Sequence, residues 1–246
     1  NQKEIKIKNI KFHQLKKISL QVLLLLFTIF IIHYSPSILA KIQPDSQGYM
    51  NLNETRQTSY FFISKVLNWL RIDIITFQNV FLSFSIVLLV YFIREKTNIF
   101  FSLISYLFIV SNTYYTSFSK IILTESIFFS FFNIAIVLFF SNTKKKNLII
   151  FALICGCLAS LKPIGIPISL FLIFLLSIRI KKISQILYIL VFFSIPLIAE
   201  NLYFYSKFNE RETVFKNVVV GKLFLLSGKD SFIVSKYPEN ISELLR

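Results

Sequence analysis

Cysteine is scarce in this sequence, and its position excludes two kinds of site. The two cysteines, Cys155 and Cys157, lie inside one apolar block. Thiols in such a block do not belong to a disulfide framework, and a single Cys-x-Cys pair supplies too few ligands for a metal site. We therefore interpret both cysteines as small residues at a contact between helices.

The sequence also lacks the motifs that hold nucleotides. It has no P-loop, no Gly-x-Gly-x-x-Gly run and no Asp-x-Asp pair of the kind that binds a nucleotide and its metal. Acidic residues are few, 12 against 27 lysines and arginines. The net charge of +15 is spread over short segments between apolar blocks, whereas a nucleic-acid surface gathers its basic residues on one face. These features argue against nucleotide and nucleic-acid partners.

Long apolar blocks make up most of the chain. Hydrophobic residues account for 55% of it, and the mean hydropathy is +0.67, against roughly 45–50% apolar residues in a soluble domain. Several blocks approach the roughly 20 residues that cross a bilayer, and they are apolar on all sides. The sequence predicts an all-α, polytopic transmembrane helix bundle with about seven crossings, at Ile18–Tyr34, Ile74–Ile93, Ile99–Tyr114, Ile121–Phe140, Leu148–Leu161, Ile164–Ile178 and Ile183–Tyr205.

The distribution of lysine and arginine predicts the orientation. Basic residues flank both ends of 148–178, so we interpret this stretch as two short helices that return to the same side. The basic residues then gather on the side of the N-terminus, which the positive-inside rule makes cytoplasmic. They are Lys3, Lys6, Lys8, Lys11, Lys16, Lys17, Arg94, Lys96, Lys144, Lys145, Lys146, Arg179, Lys181 and Lys182.

This topology divides the chain into three parts. We expect a basic cytoplasmic N-terminus at 1–17, a transmembrane module at 18–205 with a long outer loop at 35–73, and an outer C-terminal segment at 206–246. Because no Met precedes Asn1, we expect a fragment boundary there, and a truncation at the other end stays open. Within the loop, Ser59–Arg71 has an apolar stripe at helical spacing, which predicts an amphipathic helix on the membrane surface.

The ionisable candidates of the chain fall on the outer side of this topology. Asp45 and Arg56 follow the first span, and each has an ordinary alternative as a helix cap or a surface charge. Glu125 opens the fourth span, where it needs a cavity or a partner such as Lys120. Lys162 stands at the turn between the fifth and sixth spans, where it would meet a lipid phosphate or simply snorkel. Glu200 is a further polar residue near the end of the last span.

Three sequence motifs in order carry a family resemblance. The first is Pro44-Asp45-Ser46 with Tyr49, Arg56 and Tyr60; the second is Leu123-Thr124-Glu125-Ser126; the third is Gly156 with Leu161-Lys162-Pro163-Ile164-Gly165. This combination resembles the GT-C glycosyltransferases, the membrane-embedded class that includes protein O-mannosyltransferases and the lipid A aminoarabinose transferase. The resemblance covers nearly the whole chain, because that class shares a seven-helix N-terminal module with a long first outer loop.

The resemblance implies an enzyme that takes a sugar from a polyprenyl-phosphate donor. Asp45 would be the catalytic carboxylate, and Arg56 and Lys162 would bind the donor phosphate. Tyr49, Tyr60, Glu125 and Glu200 would position the sugar or the acceptor, which would be a lipid, a glycan or a protein. No cofactor is certain; a divalent cation beside Asp45 stays open, because the sequence shows no ligand set for it. The expected location is a bacterial inner membrane of the cell envelope, with the active site on the periplasmic face.

The sequence departs from the family at two places. Many relatives have Arg-Pro where this chain has Lys162-Pro163, and a proline-rich stretch where it has Arg56 to Phe61. Lysine keeps the charge but lacks the planar fork of arginine. Two alternatives therefore stay open: a degenerate scaffold subunit, and a non-enzymatic transporter or lipid flippase. A transporter is expected to show inverted repeats and ionisable residues near mid-membrane.

Overall fold

The computed structural model describes residues 2–37, 46–52, 57–141, 143–180 and 182–208. Every regular element in these ranges is a helix, which confirms the predicted all-α class for them. The elements are α1 Gln2–Tyr34, α2 Ser46–Met50, α3 Thr58–Trp69, α4 Ile74–Lys96, α5 Ile99–Ser111, α6 Thr113–Ser117, the short 3-10 helix η1 Phe118–Lys120, α7 Glu125–Phe140, α8 Lys145–Leu161, α9 Gly165–Arg179 and α10 Ile183–Tyr205.

Two of the described helices, α4 and α10, are long and apolar enough to cross a membrane. Each has 23 residues, and a third candidate span is formed by α5 with Thr113–Lys120, which are bent by 59° relative to each other. The apolar helices α7 and α9 have 16 and 15 residues, fewer than the roughly 20 that cross a hydrocarbon core unassisted. The described part of the chain therefore has two or three helices of spanning length, whereas the sequence predicted about seven crossings.

Short polar side chains begin three of these helices. The Asp73 carboxylate accepts a hydrogen bond from the backbone N–H of Thr76 at 2.8 Å and starts α4. Asn98 starts α5 in the same way, through the N–H of Phe101 at 3.0 Å. Asn112 starts α6 through the N–H of Tyr115 at 2.9 Å. A side-chain oxygen satisfies one of the free N–H groups of a helix N-terminus, which stabilises the helix by about 1 kcal/mol.

The stretch 148–178 forms two helices side by side, as predicted. α8 ends at Leu161 and α9 begins at Gly165. The Ser169 hydroxyl on α9 donates to the Cys155 carbonyl oxygen on α8 at 2.8 Å. A Cβ atom at Gly165 would overlap the Leu158 carbonyl, so only glycine permits this tight return of the chain.

α8 also packs closely against α10. A Cβ at Gly156 would lie 2.5 Å from the Phe193 carbonyl oxygen and 2.8 Å from the ring of Pro196. The main buried cluster surrounds this contact, with fully buried Phe151, Leu158 and Ile189. Small residues let the two backbones approach, which is how helices associate where lipid offers no hydrophobic gain.

The ends of the helices sort into two groups. At one end, here called the carboxylate end, lie Glu125 at the start of α7, Glu200 near the end of α10 and Lys162 just after α8. At the other, the basic end, the Arg179 guanidinium donates to the Phe139 carbonyl oxygen at 2.7 Å. There Lys145 of α8 also lies 4.4 Å from the ring centre of Tyr188 on α10. Lys145 and Arg179, two of the basic residues that the sequence placed on one side, thus lie at the same end of α7–α10.

The helix α3 corresponds to the amphipathic helix predicted at Ser59–Arg71. Leu67 is buried against the bundle, whereas Phe62 and Leu70 are exposed. Trp69 is 81% exposed. The helix stops before Arg71, whose φ of +58° is outside the helical range. Only part of its apolar stripe is therefore exposed, and the position of the helix on a membrane surface stays a prediction.

Candidate functional site

The central contact of the carboxylate end is an ion pair between Lys162 and Glu125. The Lys162 Nζ atom lies 2.5 Å from Glu125 Oε1, and each side chain is 23% exposed. Glu125 is the first residue of α7, where the helix dipole favours a negative charge. Lys162 stands in extended conformation just after the last residue of α8. Two residues 37 positions apart in sequence are thereby brought together from two of the three predicted motifs.

Lys120, the partner considered for Glu125 from the sequence, has a different contact. Its ammonium group donates to the Ser35 carbonyl oxygen at the end of α1. This bond ties the first long helix to the short 3-10 helix η1. The ion pair of Glu125 is therefore made with the α8–α9 turn.

Glu200 lies at the N-terminus of α3. Its Oε1 atom accepts hydrogen bonds from the Thr58 backbone N–H at 3.0 Å and from the Thr58 hydroxyl at 3.3 Å. The same hydroxyl is 3.2 Å from the Glu200 carbonyl oxygen. Glu200 is 5% exposed, and the residue before Thr58, Gln57, makes no capping bond with its own side chain. A carboxylate from α10 thus takes the place of a local cap for α3.

Tyr49 and Tyr60 pack together beside these residues. Their ring centres are 5.3 Å apart with the rings edge to face, and the side chains are 7% and 1% exposed. Tyr60 is on the first turn of α3, so the Glu200 cap also fixes its position. Burial, followed by the charges of Tyr49 and Glu125, raises the pKa of the Tyr60 phenol above its usual range. Tyr60 is therefore a neutral hydroxyl at physiological pH.

Gln78 joins α4 to the same end of the bundle, and the sequence reasoning did not single it out. Its Nε2 atom donates to the Leu123 carbonyl oxygen at 2.7 Å. Its backbone carbonyl accepts from the Ser126 hydroxyl at 3.4 Å. One sequence feature could have identified Gln78: it forms a polar pair with Asn79 inside the apolar run of α4. Amide side chains buried in a membrane helix need hydrogen-bond partners on other helices.

Five of the seven predicted site residues are thus located. The structure brings Glu125 and Lys162 into direct contact, Tyr49 against Tyr60, and Glu200 onto the first turn of α3. Asp45 and Arg56 lie outside the described residues. Within the part of the chain that is described, no three histidine, cysteine, aspartate or glutamate side chains come together as a metal site. The roles predicted for all seven residues stay predictions.

The described groups have a definite chemical character. Lys162 offers a cation that is only partly covered, so a phosphate that approaches it competes with the Glu125 carboxylate. Tyr60 offers a neutral donor and acceptor in a buried place. Together these groups suit a ligand that joins an anion to hydroxyl groups.

Comparisons with known proteins found no match: no family model fits this chain, and no curated protein or solved structure is similar to it at a significant level.

Proposed function

We propose that this chain is a membrane glycosyltransferase of the GT-C type, which transfers a sugar from a polyprenyl-phosphate donor to an acceptor hydroxyl or amine. In this proposal the chain crosses the membrane about seven times with its N-terminus in the cytoplasm. The reaction takes place at the outer face, which in a bacterium is the periplasmic face of the inner membrane.

The observation that carries the proposal is the Lys162–Glu125 ion pair at the carboxylate end. It joins two of the motifs on which the family resemblance rests, through a contact of 2.5 Å. Tyr49 and Tyr60, from the remaining motif, pack together at the same end. A polar site at one end of a helix bundle, rather than at its middle, suits an enzyme that meets its substrate at one face and argues against a transporter.

The sorting of the helix ends supports the proposed topology. Lys145 and Arg179 lie at the end opposite Glu125 and Glu200, as the positive-inside rule requires if that end is cytoplasmic. The helices α7 and α9 are short for a membrane span. In this proposal they still cross, because flanking lysine and arginine side chains extend to the membrane interface and the bilayer thins locally.

The proposed reaction needs a base and a cation. Asp45 accepts the proton of the acceptor hydroxyl as its oxygen forms a bond to the anomeric carbon, and the configuration inverts. The bond from that carbon to the phosphate oxygen breaks, and its electron pair leaves with the lipid phosphate. That phosphate departs without needing a proton, so one carboxylate suffices. Lys162 and Arg56 stabilise the charge that develops on it.

Transfer of a labelled sugar from a polyprenyl-phosphate donor, by membranes that carry the protein, tests the proposal. The Asp45→Asn variant is expected to lose transfer by at least about a hundredfold, the range of a lost general base. Asp73→Asn is the matched control, because asparagine caps a helix as well as aspartate does. Normal transfer by Asp45→Asn would show that the assigned base is wrong. Movement of the labelled lipid across the bilayer, without transfer to any acceptor, would favour a flippase.

A further inference from the structure

Two exposed cations at the basic end lie over aromatic rings. Lys96 Nζ, in the last turn of α4, is 5.8 Å from the ring centre of Phe92. The Arg179 guanidinium, in the last turn of α9, is 5.5 Å from the ring centre of Phe139 on α7 and also donates to its carbonyl oxygen. The ring centre of Phe140 lies 6.3 Å from that of Phe92 and 4.9 Å from that of Phe139. The ends of α4, α7 and α9 therefore carry one connected row of rings, with a cation at each end of the row.

A third cation of the same kind lies at the start of α8. Lys145 Nζ is 4.4 Å from the ring centre of Tyr188 on α10. The same helix reaches the row of rings through Phe151, whose ring centre is 6.4 Å from that of Phe139. A ring face attracts a cation and so holds a long basic side chain in place. The three exposed cations of this kind, here called the ring-held cations, are Lys96, Lys145 and Arg179.

Positive charge dominates the chain around the ring-held cations. Within three residues of them, the described part of the chain adds four further basic residues and one acidic residue. These are Arg94, Lys144, Lys146 and Lys182, and Glu95. Like charges gathered at one end of a bundle repel one another, and bound anions relieve that repulsion. The surface is therefore complementary to negative charge.

Exposed apolar side chains adjoin these charges. Phe140, in the row of rings, is 51% exposed. An exposed apolar stripe at helical spacing also runs along α10 from its first residue, at Ile183, Leu187, Val191, Ile195 and Ile198. A soluble anion would meet only the charges, whereas a phospholipid has a phosphate group next to its acyl chains. The combination of cations and adjoining apolar surface favours a lipid.

We propose that Lys96, Lys145 and Arg179 bind the phosphate groups of anionic phospholipids. The rings hold these cations in place before a lipid arrives, so less side-chain freedom is lost on binding. The surface lies at the end of the bundle opposite the Lys162–Glu125 ion pair, so the inference goes beyond the proposed function and does not depend on it. It gives the basic residues a role in the folded protein in addition to setting its orientation.

Two double variants with the same net charge test the surface. Lys96→Gln with Lys145→Gln removes two ring-held cations. Arg94→Gln with Lys146→Gln is the matched control, because it removes one cation from each of the same two helix ends. Among the described residues, neither Arg94 nor Lys146 lies over a ring.

Binding is measured by titration of phosphatidylglycerol into the protein in neutral detergent, followed by native mass spectrometry. The first double variant should bind this lipid roughly five- to thirtyfold more weakly than the wild type, and at least about fivefold more weakly than the control. Phosphatidylcholine, which has no net charge, should bind all three proteins equally. Without phosphatidylglycerol both double variants should melt at the wild-type temperature, because the substituted side chains are exposed.

The Tyr188→Leu variant tests the ring contact without changing any charge. Loss of the ring under Lys145 should weaken phosphatidylglycerol binding by roughly two- to fivefold, the range of an exposed cation–ring contact. Tyr205→Leu is the control, because it makes the same substitution at an exposed position of the same helix, at the other end. It should leave the affinity unchanged.

Four results would overturn the proposal. Equal phosphatidylglycerol affinity of the two double variants would show that net charge alone explains the binding. A wild type that binds phosphatidylglycerol no more tightly than phosphatidylcholine would remove the surface altogether. Normal affinity of Tyr188→Leu would remove the rings from it, and displacement of the lipid by an equal concentration of glycerol phosphate would show that a soluble anion suffices. No sugar donor enters these measurements, so a protein that fails the transfer assay can still pass them.

Discussion

The Glu200 carboxylate accepts two hydrogen bonds from Thr58, although the residues are 142 positions apart in sequence. One of these bonds comes from the first N–H of α3. The helix that carries Tyr60 is thus started by a side chain of α10 rather than by its own sequence. Glu200 is therefore a positioning residue for the tyrosine pair in addition to any role toward a substrate.

Glu200→Ala should destabilise the protein, because it leaves a buried N–H of α3 without a partner. We expect a loss of about 1–2 kcal/mol in the free energy of unfolding, the range of a lost helix cap. Glu200→Gln should cost less, because the amide oxygen still accepts. The melting temperature in detergent measures both, and equal losses for the two variants would contradict the capping role.

The ion pair between Lys162 and Glu125 should show energetic coupling. We expect a double-mutant cycle with Lys162→Met and Glu125→Gln to give about 1 kcal/mol, since the pair is mostly but not fully buried and water still screens it. High salt should reduce this value. Additive effects of the two substitutions would show that the contact contributes nothing to stability.

If the proposed function is right, Lys162→Arg should bind the polyprenyl-phosphate donor at least as tightly as the wild type. The guanidinium keeps the charge and adds a planar fork that matches two phosphate oxygens. Lys162→Met should bind the donor about tenfold or more weakly, because a charge-assisted hydrogen bond contributes about 1.5–3 kcal/mol. Equal donor affinity of the Met variant, measured by titration in detergent, would remove Lys162 from the phosphate site.

A buried amide should hold α4, α6 and α7 together. Asn133 Nδ2 lies 3.1 Å from the Ser85 hydroxyl and 3.1 Å from the Tyr115 hydroxyl, and donates to both. Asn133→Leu should lower the free energy of unfolding by about 0.5–2 kcal/mol, the range for hydrogen bonds between membrane helices. Asn68→Leu, at an exposed position of α3, should leave it unchanged. A stable Asn133→Leu protein would mean that apolar packing alone fixes these helices.

The positions of the helices could be read from the sequence, because local signals set them. The start of α4 at Ile74 and the bounds of α10 follow directly from the apolar blocks and their polar flanks. The division of 148–178 into two helices followed from the charges on its flanks. The apolar blocks did not predict the lengths of all the helices. α7 and α9 have fewer residues than are needed to cross a bilayer, although both lie in blocks that were predicted to cross.

The contacts within the site could not be read in this way. The sequence suggested Lys120 as a partner for Glu125, because the two are five residues apart; the packing of α8 on α7 brings Lys162 there instead. The cap that Glu200 provides and the place of Gln78 also depend on contacts between distant helices. Local periodicity contains no information on which helices are neighbours.

The single tryptophan of the chain, Trp69, stands 81% exposed near the end of α3. All intrinsic tryptophan emission of this protein therefore comes from the helix that carries Tyr60. An indole in contact with lipid emits at shorter wavelength and is shielded from aqueous quenchers, so the unlabelled protein reports optically on where α3 lies. The same signal follows any displacement of that helix when a ligand is added.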